Sequence, residues 1–205
     1  TLSTVLRVEN RGTLTSTGTI TSGSQGFFTF AGSTTNASGL LNGGVTNDGT
    51  FNVTGALTGI SSFTNQGTGQ LLVSGGNYSG LTSFTNSSTA ATGVNISAGR
   101  TLSATSVTNN AGATLFNAGT LSTTSSITNS GTLNSTGAIV GALINNGTAN
   151  LAGTFSFNLT NQNAGIMNIT GNLTGSGGGF IGSGTSSTTL SSGATWSGIF
   201  NLNNS

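Results

Sequence analysis

The sequence predicts an all-β fold, a parallel β-solenoid of about ten coils with roughly 19 residues each, built as a single domain over residues 1–205. Residues 1–175 are expected to form regular coils, and 176–205 a less regular coil, a cap or a subunit junction. Three observations carry this prediction. A triplet of apolar residue, any residue and Asn recurs along the chain. A second apolar position keeps a fixed distance behind it. The third is the near absence of charge and of any helical period.

The triplet occurs as VEN, VTN, FTN, FTN, VTN, ITN, LIN and LTN, ending at Asn10, Asn47, Asn65, Asn86, Asn109, Asn129, Asn145 and Asn161. From Asn47 to Asn161 the mean spacing is 19 residues. The gap between Asn10 and Asn47 is about twice that, so a degenerate copy is expected around the FFTF run at 27–30. Repeats of this length that cannot bury their apolar residues alone do so by stacking on their neighbours.

Behind the Asn, x-Gly-Thr is usually followed by an apolar residue: Leu14, Phe51 and Leu133, with the smaller Ala149. Two repeats have two extra residues and bring Leu115 and Met167 to that place. Six positions further on stand Ile20, Leu57, Leu121, Ile139, Phe155 and Leu173, each in a Gly-x-apolar context. Short alternating segments rich in Thr, Val, Ile and Phe, punctuated by Gly and Asn, read as strands and tight turns. The content of Gly, Ser, Thr and Asn disfavours helices.

In ITNSGTLNSTGAI (127–139), Ile127, Leu133 and Ile139 are expected to point inward and Thr132 and Asn134 outward. The two sets of apolar positions become buried columns. Asn129 and its counterparts become a corner ladder, because an amide both donates and accepts and stacked copies can bond along the column. Glycines such as Gly131 and Gly137 suit sharp corners.

Composition narrows the function. The chain has 35 Gly and no Pro, Cys or His, and its charged side chains are Arg7, Glu9, Arg11, Asp48 and Arg100. Like charges stacked at strand spacing repel, whereas uncharged polar groups do not, so a solenoid accounts for the 2% charge. The most apolar stretch, GAIVGALI at 137–144, is too short to span a bilayer. Without His or Cys a nucleophilic triad has no base, and two carboxylates make neither a metal site nor a calcium-binding repeat. Glu9 and Asp48 flank equivalent corners two coils apart, roughly 10 Å, just beyond the spacing of an inverting glycosidase pair. GSGGG at 175–179 lacks the Lys and following helix of a phosphate loop. Three Arg and no Lys argue against nucleic acid. No catalytic residue, cofactor or metal site is expected. Asn-x-Ser/Thr sequons, as at Asn52 and Asn168, follow from a repeat made of these letters.

The phrases VTNDGTFNVTG, ITNSGTLNSTG and INNGTANLAG resemble repeats of autotransporter passenger domains and filamentous-haemagglutinin-type adhesins of Gram-negative bacteria. The resemblance covers about residues 1–175. It implies a right-handed, three-stranded β-helix that is exported and displayed outside the cell, with a host-surface or matrix glycan or protein as partner. No signal peptide, translocating barrel or protease motif is recognisable, so the chain is expected to be a mature or excised piece or a self-contained subunit.

Two function classes follow. The first is a structural or adhesive surface protein that assembles with itself, or stands alone as a passenger rod. Open strand edges need blocking or a partner. Arg7, Glu9 and Arg11 fall in the first repeat, while Phe180, Trp196, Ile199 and Phe200 give the C-terminal stretch an exposed apolar character. These residues are the expected end contacts of a homopolymer. The second class is ice binding through outward columns: Thr13/Thr15, Thr50/Asn52, Thr132/Asn134 and Thr148/Asn150, broken by Thr68/Gln70, Thr114/Phe116 and Ile166/Asn168. No aromatic platform for carbohydrate is expected, Tyr78 and Trp196 being isolated.

Overall fold

The computed structural model describes residues 1–3 and 6–204, with side chains 2–3 and 200–204 excepted. Among the described residues there is no helix, and every strand pair is parallel. No helix is therefore long and apolar enough to cross a membrane. The chain is a β-solenoid of about ten turns.

One column displays the whole stack. Val8, Phe27, Val45, Phe63, Phe84, Val107, Ile127, Leu143, Leu159, Phe180 and Leu202 are successive strand partners, ten steps close to 19 residues each. Strand alternation puts the column from Val8 to Phe180 inside and its neighbours outside; in Ser62–Asn65, Phe63 and Asn65 are buried and Ser62 and Thr64 half-buried. The hidden repeat is Gly26–Thr29, in which Thr29 occupies the Asn position.

A second column runs through Leu14, Thr35, Phe51, Leu71, Val94, Leu115, Leu133, Ala149, Met167 and Thr188. Leu115 and Met167 thus stand in line with Leu133 and Ala149 despite their insertions.

The third column is continuous from Leu57 through Tyr78, Leu102, Leu121 and Ile139 to Phe155. Ile20 and Leu173 are buried too, yet they stand two residues out of line with it. Ile20 pairs with Leu41, which faces Gly59 rather than Leu57. Leu173 pairs with Gly153, while Phe155 faces Gly175. A two-residue slip preserves the inward parity of every side chain. Glycine makes it possible: a Cβ on Gly175 would lie 2.4 Å from the Phe155 ring.

The three columns meet along the axis. Phe63 contacts Phe51 edge-on at a centroid distance of 5.2 Å and Tyr78 at 5.7 Å, so one aromatic from each face closes the core at this level. Each such side chain, fully buried, contributes about 1.5–3 kcal/mol.

The corner Asn residues form a buried ladder. From Asn47 the side-chain Nδ2 donates to Oδ1 of Asn65, and the relay continues through Asn86, Asn109, Asn129 and Asn145 to Asn161, at 2.7–3.0 Å per step. Each Nδ2 also donates to a backbone carbonyl of the next coil, for example Asn109 to Thr132 at 3.0 Å. Asn10 stands apart from the relay: Thr29 lies above it, and its amide donates to Thr34 O and Thr35 Oγ1. For the same reason Asn47 Oδ1 has no donor, since the Thr29 hydroxyl is engaged with that of Thr35.

The C-terminal stretch continues the stack as a less regular coil, with register shifts between Thr174 and Gly178 and between Gly178 and Gly179. Ser187–Leu190 and Trp196–Asn204 stack on Ile166–Gly182 in parallel register. Phe180, expected as an exposed end contact, is buried in the first column, with Trp196 edge-on at 5.0 Å. Trp196 and Ile199 are half-covered by the core. The Phe200 side chain lies outside the described residues.

Candidate functional site

With the apolar residues inside, function is left to the outer faces and the two ends. The strands ending in the Asn ladder turn a hydroxyl array outward. Thr46, Thr64, Thr85, Thr108 and Thr128 are consecutive partners. Two residues earlier on the same strands stand Ser62, Ser83, Ser106 and Ser126. The resulting grid repeats about every 4.8 Å along the axis and about 6.6 Å along the strand. It carries no charge. Its signal in the sequence is the phrase Ser-apolar-Thr-Asn at 62–65, 83–86, 106–109 and 126–129.

The neighbouring face holds the Thr/Asn pairs singled out from the sequence. Thr13/Thr15 and Thr50/Asn52 are joined through Thr34/Asn36, and Thr132/Asn134 adjoins Thr148/Asn150. Between the two patches the face changes character. Leu72, Asn95 and Phe116 occupy successive places in the Asn column, with Gln70 beside Leu72. The outer amides bond along the axis, each donating toward the N-terminal end. Asn52 donates to Asn36 at 2.8 Å, Asn150 to Asn134 at 2.7 Å, and Asn168 to Asn150 at 2.8 Å. At the change of character lies an open groove of about 490 Å³. Phe116 is half-buried within it, flanked by Asn95 and Asn134. From the sequence, Phe116 is only a defect in the array. In the structure it is an outward aromatic set among amides.

The charges sit on lateral faces. Glu9 is paired by both Arg7 and Arg11, the latter through Nε at 3.1 Å. The two guanidinium groups lie over the rings of Phe28 and Phe30 at 5.4 and 3.8 Å. Arg7, Glu9 and Arg11 therefore clip the first coil to the second. Asp48 accepts from Gln66 Nε2 at 3.3 Å. Glu9 and Asp48 lie two coils apart, Glu9 within its strand and Asp48 just after Val45–Asn47, the strands' Val8 and Val45 being linked through Phe27. No cluster of three His, Cys, Asp or Glu residues occurs among the described residues.

The apolar residues that expose themselves most include Leu6 near the first described coil and Leu190 in the last. Trp196 Nε1 is buried without a hydrogen-bond partner among the described residues.

No protein-family model, curated protein or solved structure matches the chain.

Proposed function

We propose that the chain is a non-catalytic structural and adhesive rod of the extracellular or outer cell surface, of the autotransporter-passenger and filamentous-haemagglutinin kind. It lengthens by head-to-tail stacking of its terminal coils. The observation that carries this reading is the register of the last coil. Trp196–Asn204 pairs in parallel with the coil before it, so the backbone groups of its other edge match another coil in geometry and hydrogen bonding. A contact between two different ends need not close and propagates as a filament. A net charge of +1 gives little repulsion between copies.

The reading is tested by electron microscopy of negatively stained protein. The wild-type chain is expected to give filaments. Leu190→Arg replaces an exposed apolar side chain of the terminal coil with a cation that a junction would desolvate, and is expected to leave short rods. Wild-type protein that stays as single rods leaves the monomeric passenger reading in its place.

A second reading is favoured by one observation, the regular Ser/Thr grid from Ser62 to Thr128. A flat, uncharged hydroxyl lattice suits ice binding better than the interrupted Thr/Asn face. Thermal hysteresis in dilute solution supports it, and its absence removes it.

A further inference from the structure

We infer that the groove around Phe116 is a binding site for a neutral polysaccharide chain laid along the solenoid axis, an inference that rests on the adhesive reading above.

The amides make the case. In the outer column each Asn donates toward the N-terminal end, and Asn134 spends its Oδ1 accepting from Asn150. The place toward which Asn134 would donate is held by Phe116, which offers no acceptor in line. On the other side of the ring Asn95 is exposed, between Leu72 and Phe116, and its amide makes no hydrogen bond among the described residues. The aromatic thus interrupts an amide ladder and leaves polar groups on both sides without partners in the protein. Asn117 also borders the groove, but its Oδ1 is buried toward Ile96 and is not offered to a ligand, so the recognition falls to Asn95 and Asn134.

An apolar ring between unspent amides is complementary to a pyranose, which offers an apolar C–H face and a rim of hydroxyls that donate and accept. No charged residue lines the groove, so nothing there rewards a carboxylate or sulfate. Its volume falls within the roughly 300–1,000 Å³ range of ligand sites. It also extends over five successive coils, from the coil of Asn95 to that of Thr170, about 19 Å at strand spacing. That length fits an oligosaccharide better than a single sugar.

The full chain is titrated with cellohexaose, chitohexaose and, as the acidic counterpart, hexagalacturonate, by calorimetry and by NMR of the Asn side-chain amides. Saturable binding of at least one neutral hexaose is expected, with the Asn95 and Asn134 amide resonances moving most. Phe116→Ala should weaken it at least tenfold and Asn95→Ala several-fold, while Phe116→Trp retains it. Asn95 is exposed and unbonded, so its replacement leaves the fold intact and keeps the test valid even where Phe116→Ala unfolds. No saturable binding of either neutral probe, tighter binding of the acidic one, or unchanged affinity in both Asn95→Ala and Phe116→Ala overturns the assignment. Scattering from the same samples reports assembly separately, so failure of the glycan site and failure of the rod reading are told apart.

Discussion

Tyr78 is the side chain whose chemistry is most altered by the fold. It is fully buried between Phe51 and Phe63, and its hydroxyl has no hydrogen-bond partner. Burial alone raises its pKa well above the ordinary phenol value. Tyr78 is the single Tyr, and there is no Lys or Cys to titrate alongside it. Because the folded pKa is raised, its contribution is fully present below about pH 10, the unfolded phenol value. It is lost as pH rises further, since the unfolded chain ionises first, by about 1.4 kcal/mol per pH unit. Tyr78→Phe is expected to abolish this alkaline decline and, by removing an unmet hydroxyl, to stabilise the neutral protein by about 1–2 kcal/mol. Thermal melts of both proteins between pH 7 and 11 check both statements. The Asn ladder points the other way. Asn109 accepts from Asn86 and donates to Asn129 and to Thr132 O. Asn109→Ala leaves buried polar atoms on two coils unmet and should cost about 2–3 kcal/mol in chemical denaturation.

At the scale of the coil, the third apolar column bears directly on the register. Ile139 is 1% exposed between Leu121 and Phe155. Ile139→Asp buries a carboxylate with no cation in reach and should prevent stable folding, seen as loss of the β signal in circular dichroism. A variant that melts like the wild type rejects the register. This column and the Asn ladder were legible in the sequence because each coil repeats the same residue type at a near-constant interval. The departures were not. Ile20 and Leu173 keep the right parity while slipping by two residues, and a slip of that size leaves the alternation unchanged. What permits it is glycine opposite a bulky partner, at Gly59 and Gly175, and a glycine in so Gly-rich a chain is not conspicuous. Phe180 is expected at the surface because its strand ends in Gly182 where the others end in Asn, yet the backbone pairing carries the coil on regardless. The hydroxyl grid was in plain view as Ser-apolar-Thr-Asn. It went unmarked because the outward residues of the neighbouring face repeat more obviously, and only stacking shows which face is continuous.

At the scale of the molecule, ten steps at strand spacing give a rod about 48 Å long. The Ser/Thr grid and the Thr/Asn patches hold no charge, while Arg7 and Glu9 occupy the first coil of the column that continues into the grid. Continuous pairing and the buried amide ladder hold the stack together along its axis; in the proposed filament the last described coil pairs with the first coil of another copy. Static light scattering across a concentration series checks the proposed association of the ends. The weight-average mass is expected to climb with concentration through multiples of 20.0 kDa, with Leu190→Arg held at one unit. A wild-type mass fixed at 20.0 kDa up to the highest soluble concentration contradicts it.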